Sequence, residues 1–511
     1  MKKLLLLVLT LTMITCLCLG LTACAGKDGA NGQDGVSIVD VYVSDDGYLM
    51  IKYSNSETYV NVGKVTDDEE QGTIGLKYVL NEDGKSVSVD GIGMAFERDI
   101  VIPSTYKGYP VTAINTGAFL NCFSVTSITI PNSVTVIQYA GITGCENLKK
   151  IIYTGTIDEW VQIEFEESLN GDVGVEEFCI NNELLTTANI TTATKINNYA
   201  FYGFDSLTSV TIGDSVTSIE YAAFRDCAKL TSITIPDSVI SIGNHAFSSC
   251  DKLTSIMIPD SVISIGNYAF SSCDNLTSVT IGNSVTNIGD NAFYVCNKLV
   301  EVINKSPSIT VEKGGSANGY LGCYALEVFN SNDTYVNKFI TDSNGYITYN
   351  DGTDKILVNY VGTLTNLTLP NGITKIRDNA FEYCDNLTSV VIGDSVTNIG
   401  DNAFKYCHNL TSIIIPNSVT SIGHFAFSSC HSLTSVVIGN GVTSIGSSAF
   451  SYCDSITSIT FEDPSTWYRV ESFLNWQNKT GGTEIDVTNP SSNATYFKPY
   501  GFDSYYLFYK L

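Results

Sequence analysis

Apolar residues return at a fixed interval of 23 along most of the chain, with polar residues filling the places between. Phe201, Phe224, Phe247, Phe270 and Phe293 keep that step, and Phe381, Phe404, Phe427 and Phe450 keep it again. Each Phe follows an Ala, and a Cys stands three residues later at Cys227, Cys250, Cys273, Cys296, Cys384, Cys407, Cys430 and Cys453. One unit written out is Leu230, Ile233, Ile235, Val239, Ile242, Ala246, Phe247 and Cys250, and the next is Leu253, Ile256, Ile258, Val262, Ile265, Ala269, Phe270 and Cys273. Self-similarity of this kind marks stacked repeats, in which no unit can bury its apolar face alone. The alternating Leu-Thr-Ser-Ile-Thr-Ile segment predicts a short strand, and the Pro or Gly with Asp or Asn behind it predicts a turn. The remainder, Ser-Val-x-Ser-Ile-Gly-x-x-Ala-Phe-x-x-Cys, predicts a second short extended piece and then one tight helical turn. Buried apolar side chains are worth ~1.5 to 3 kcal/mol each, so stacking identical coils at a strand spacing of ~4.8 Å yields one continuous core. Each column of the repeat then becomes a ladder along the molecule.

The strand segment has the L-x-x-L-x-L form of a leucine-rich repeat, and the whole unit resembles the repeat of the BspA-like leucine-rich proteins of bacterial surfaces. The resemblance covers about residues 74 to 511. Asp99-Ile100-Val101-Ile102-Pro103-Ser104-Thr105-Tyr106 with Pro110-Val111-Thr112-Ala113-Ile114 resembles that family's opening coil, and the repeats around Phe119 and Ile142 continue it. What the resemblance implies is a leucine-rich repeat solenoid, β-rich, with short parallel strands and helical turns. It also implies adhesion or host-protein binding, and it brings no catalytic residues.

The period lapses twice, at about 153–195 and 301–372, which divides the chain further. The expected layout is a cap and first repeats over 74–152, a Trp-containing insertion over 153–195, an array over 196–300, a second insertion over 301–372, an array over 373–461 and a C-terminal cap over 462–511. The segments around Trp160 and Trp467 look like copies of one module whose aromatic residues would cover an open end of a stack. Glycan stacking is the alternative for Trp160, Trp467 and Trp476. Before the repeats, residues 36–66 read as a small β-hairpin unit: Val39, Val41 and Val43, the Asp45-Asp46-Gly47 turn, then Leu49, Ile51 and Tyr53. The acidic run Asp67-Asp68-Glu69-Glu70, within 67–73, reads as a solvated linker.

The start of the chain predicts export of the rest of it. Lys2 and Lys3 precede an apolar run that closes on Leu21-Thr22-Ala23-Cys24, so 1–23 reads as a signal peptide, the alternative being a transmembrane anchor left uncleaved. The closing tetrapeptide resembles a bacterial lipobox, which implies a lipid on Cys24 and a membrane partner through that anchor. Gly26, Gly29, Gly32 and Gly35 make 24–35 a flexible tether. With 27 basic against 53 acidic residues, the net charge of -26 repels phosphate backbones and predicts a soluble monomer that does not bind nucleic acid.

Candidate chemistry is sparse. His245, His408, His424 and His431 are the only histidines, and none sits in a metalloprotease or triad pattern. No catalytic residue and no cofactor is assigned; Glu164 and Glu166 offer an enzyme reading little. The repeat thiols are 23 residues apart and not paired as in zinc sites, which leaves buried free thiols or bridges between neighbouring coils. His408 and His431 share a column with Asp385 and Asp454, and stacking predicts an Asp-His-His-Asp row that could bind a divalent metal, respond to acid, or stand as a solvated polar column. The outward strand position holds Thr211, Thr234, Met257 and Thr280 in the first array and Val391, Ile414 and Val437 in the second. These seven are the candidate ligand-binding residues, because apolar side chains facing water on successive coils mark an interaction surface. Thr208-Ser209, Thr231-Ser232, Thr411-Ser412 and Thr434-Ser435 flank them with hydroxyls. The functional expectation is a non-catalytic surface scaffold for an unidentified protein or glycan ligand; the alternative is a structural spacer without a specific ligand.

Overall fold

The computed structural model describes residues 38–43, 48–53, 57–64, 72–95, 97–169, 175–470, 477, 479–496 and 507–510. The leader, Cys24, the tether and Trp476 lie outside them. Among the described residues no helix is long and apolar enough to cross a membrane. The chain forms two units, Met1–Gln71 and Gly72–Leu511. In the first, strands Ile38–Val43 and Tyr48–Tyr53 pair antiparallel, with Val41 opposite Ile51 and Val43 opposite Leu49. A third strand, Tyr59–Lys64, pairs with the second and makes a meander where the sequence had suggested two strands only.

The second unit is a β-solenoid of about 16 turns with little helix. Successive Leu-x-x-Ile-x-Ile segments pair in parallel with like residues opposite, as in Ser412–Ile415 beside Ser435–Ile438. The two-residue strands Ser241–Ile242 and Ser264–Ile265 form a second parallel row in the same coils. Because the side chains alternate across each strand, Ile256 and Ile258 turn inward while Met257 turns outward. Phe201, Phe224, Phe247, Phe270 and Phe293 are fully buried and stack ring on ring at 5.0 to 5.2 Å.

The expected helical turns are not helices. In the coil of Phe247, His245 (φ 56°) and Ser249 (φ 58°) adopt left-handed backbone. The Phe247 N–H donates to Ala269 O at 2.7 Å and the Ser249 N–H to Ser271 O at 2.8 Å, both one coil onward. A helix needs those groups to bond back along their own segment; here they tie coil to coil. Among the described residues the short helices Ile157–Trp160 and Pro490–Tyr496 lie in the first interruption and in the C-terminal segment.

The first interruption does not break the stack, since one core cluster runs from Leu76 to Ala325. The Thr156 side chain caps Ile157–Trp160 in a capping box with Glu159. The Asp158 carboxylate accepts from the backbone N–H groups of Thr191, Thr192 and Ala193 at 2.8, 2.7 and 2.8 Å, which fastens the irregular coil to the next one. Trp160 therefore sits inside the core and covers no open end.

The second interruption also differs from the expected 301–372 insertion. Strands Glu301–Asn304 and Glu327–Phe329 continue the parallel row of the first array, because Val302 and Val328 fall in register with Val279. Then Phe339–Thr341, Tyr346–Asn350 and Lys355–Tyr360 form an antiparallel meander whose last strand pairs in parallel with Lys375–Ile376. The hairpin Lys77–Leu80 with Val87–Gly91 opens the first stack in the same way, pairing in parallel with Tyr109–Ile114. Each stack thus starts on its own hairpin. Val300, Ile347, Tyr349 and Val358 form a small core between the stacks. Lys298, only 3% exposed, donates to Asn275 Oδ1 and Glu382 O there, both at 2.9 Å. At the far end, Leu507–Lys510 runs antiparallel between Ser444–Ile445 and Trp467–Val470.

Candidate ligand-binding face

Parallel register brings the outward residues of the second stack into one line: Thr368, Val391, Ile414, Val437 and Thr460 are successive partners. Val391 is 58% and Ile414 64% exposed, and Val437 is half-buried. In the first stack Thr211 and Thr234 are paired and exposed. Met257, 65% exposed, pairs with half-buried Thr280, and the line continues through Ile303 to buried Phe329, whose ring meets Tyr335 at 5.1 Å. The apolar stretch open to water on this face is therefore centred on Val391 and Ile414. A second one escaped the sequence reading: Ile240 and Ile263, 49% and 48% exposed, stand just ahead of successive strands of the other row, and the Ile263 N–H donates to Ile240 O. Its signal was the Ser-Val-Ile-Ser-Ile segment, which carries Ile where the second array has Thr397, Thr420 and Thr443.

The flanking threonines are spent on the fold. Thr208, Thr231, Thr411 and Thr434 each donate their hydroxyl to a backbone carbonyl of the preceding coil at 2.8 to 3.1 Å. What the ladder offers a ligand at its centre is aliphatic surface.

The Asp-His-His-Asp row forms. His408 Nδ1 lies 2.7 Å from Asp385 Oδ1, His431 Nδ1 lies 3.6 Å from Asp454 Oδ2, and the two imidazoles stack at 4.9 Å. Among the described residues no group of three or more His, Cys, Asp or Glu side chains is placed to hold a metal ion. Trp160 is fully buried among Tyr153, Phe165, Phe178 and Phe204, and its indole N–H donates to Ala200 O at 2.7 Å. Trp467 is 1% exposed against Phe461. Neither ring has a face open to a sugar. Glu166 accepts the Tyr139 N–H at 3.0 Å.

The cysteines among the described residues are free thiols. Cys250 Sγ donates to Phe224 O at 3.2 Å, and Cys273, Cys296, Cys407 and Cys430 repeat that bond with the Phe 26 residues earlier. Burial pushes these thiols up, well away from ionisation at neutral pH for Cys250, Cys273 and Cys407.

The repeat identifies the family. Residues 96–191, 194–313 and 357–479 match the BspA type leucine rich repeat region, in six copies. The chain belongs to the BspA-type leucine-rich repeat family. Among solved structures it is similar to a leucine-rich cell surface protein of Faecalibacterium prausnitzii, at 25% identity over 82% of this chain and 100% of that one, with a TM-score of 0.31. A leucine-rich repeat protein of Bacteroides ovatus matches at 22% identity over 77% of this chain and 94% of that one, with a TM-score of 0.27. The pneumococcal vaccine antigen PcpA matches at 19% over 78% and 88%, also at 0.27. A search of curated protein sequences gives no match.

Proposed function

We propose that this BspA-type chain is exported, held to the outer face of a bacterial membrane by a lipid on Cys24, and binds a protein ligand in adhesion without chemical turnover. The observation that carries the binding role is the exposed aliphatic pair Val391 and Ile414 on neighbouring strands of a rigid parallel sheet. Aliphatic surface beside threonines already bonded to the backbone suits an apolar protein surface better than a sugar, whose hydroxyls need donors and acceptors. The export reading rests on the basic, apolar and small residues that lead to Cys24.

The test is binding of the full chain to host matrix proteins, mucins and bacterial glycans, beside the double variant Val391→Ser, Ile414→Ser. Burying a whole aliphatic side chain is worth ~1.5 to 3 kcal/mol, so at 58% and 64% exposure the pair can contribute about 2 to 4 kcal/mol. Saturable binding to a protein that weakens about 30-fold or more in the variant is expected. The buried remainder of the two side chains is worth about 1 to 2 kcal/mol, so the unfolding curve should move by no more than that and the variant should stay folded. Binding to a glycan only, or to nothing, or equally by both proteins, overturns the reading.

A further inference from the structure

The ridge that carries Asp385, His408, His431 and Asp454 lies on a different column from the aliphatic ladder and plays no part in it. In the first array the same column holds Ala228, Asp251, Asp274 and Asn297, so adjacent imidazoles occur here alone. Each ring is partly open, with side-chain exposures of 39% for His408 and 49% for His431. The rings cover one face of each other, 4.9 Å apart at 21°, and Tyr406 lies tilted 6.0 Å from His408. A sugar would need those faces. Stacking leaves the ring edges uncovered by each other, and the edge of an imidazole carries its nitrogens.

One nitrogen of His408 is already directed, and one of His431 has a carboxylate nearby. Asp385 holds His408 at Nδ1 and Asp454 stands near His431 at Nδ1, from opposite ends of the row. A carboxylate on one imidazole nitrogen fixes the tautomer and leaves the lone pair on the other, which is the arrangement metal-ligating histidines use. Metal–nitrogen bonds are ~2.0 to 2.1 Å, so one ion can be shared by two Nε2 atoms within about 4 Å of each other. Rings stacked at 4.9 Å and 21° direct their Nε2 lone pairs side by side, so sharing an ion requires both side chains to rotate out of the stack until those edges converge.

We propose that His408 and His431 form a two-imidazole site for a divalent transition-metal ion of the zinc, nickel or copper class, bound through Nε2 with Asp385 and Asp454 as positioning residues. Imidazole ligands favour these ions over calcium or magnesium, which take oxygen. With only two protein ligands, the remaining coordination positions stay open to water or to a donor group on another molecule.

The experiment is titration of the full chain with Ni2+ and Zn2+, followed by calorimetry, after accessible thiols have been capped with N-ethylmaleimide. The comparison set is His408→Gln, His431→Gln, the double variant and Asp385→Asn, with circular dichroism showing that each is folded. One saturable equivalent is expected. It should weaken at least about tenfold in either single His variant, vanish in the double variant, and weaken roughly tenfold in Asp385→Asn. His245 and His424 remain in every variant, so they serve as the control for scattered imidazoles. Calcium should give no heat. The proposal is overturned if neither ion binds with a defined stoichiometry, or if the double variant binds as the parent does.

Discussion

Replacing Trp160 by Phe separates a packing residue from a sugar platform. The indole is fully buried, and its N–H is the donor that satisfies the carbonyl of Ala200, itself buried in the next coil. Phe keeps an aromatic ring against Tyr153, Phe165 and Phe178 but removes that donor. A buried carbonyl left without its partner costs about 1 to 3 kcal/mol. The smaller ring leaves a void worth about 1 kcal/mol more at ~24 cal/mol per Å³. The expected loss is therefore roughly 2 to 4 kcal/mol, and in a solenoid it falls first on the adjoining coil. Urea unfolding gives the total, while amide hydrogen exchange over 195–204 locates it, which matters because long arrays need not unfold in one step. A change below about 0.5 kcal/mol with unaltered exchange in that coil would sink the packing account. So would wild-type stability accompanied by loss of binding to a glycan.

Two further predictions follow from buried groups. Burial, and then the neighbouring Asp274, push the Asp251 carboxyl up to about 7. A raised carboxyl stabilises the fold most below its unfolded value near 4, and that contribution disappears as pH climbs through about 7. Asp251→Asn should therefore melt higher than the parent at pH 8 and with it at pH 4.5; identical pH profiles in thermal melts would count against the assignment. Native protein treated with Ellman's reagent should leave Cys227, Cys250, Cys273, Cys296, Cys407 and Cys430 unmodified, because thiols buried against Phe carbonyls supply almost no thiolate. Mass mapping that finds these residues labelled before unfolding, or already bridged, would refute this.

How much of this could be read in the sequence depends on whether a residue's neighbours are copies of itself. Leu253, Ile256, Ile258, Val262, Ile265, Ala269, Phe270 and Cys273 are all buried as the 23-residue pattern requires, because each is packed between its own equivalents. The face of Val391 and Ile414 was legible for the same reason. The hairpin Tyr346–Asn350 with Lys355–Tyr360 was not, since its period is two and it has no copy in the next coil. Its Asn350-Asp351-Gly352 turn, so like Asp45-Asp46-Gly47, was the available signal. Trp160 resisted for another reason: alternation cannot tell a residue at the end of a stack from one inside it, and only Asp158 gripping Thr191, Thr192 and Ala193 settles which it is. The left-handed residues at His245 and Ser249 were also invisible, as neither is a glycine.

The match between neighbouring coils reaches beyond folding. Residues 253–272 repeat 230–249 almost letter for letter, so one coil is interchangeable with the next. Gaining or losing one whole coil returns every Phe, Cys and backbone N–H to an equivalent partner, and the product differs only in length, by one strand spacing of ~4.8 Å. Length can therefore change in whole-coil steps while the ladder of Val391 and Ile414 and both hairpins stay as they are.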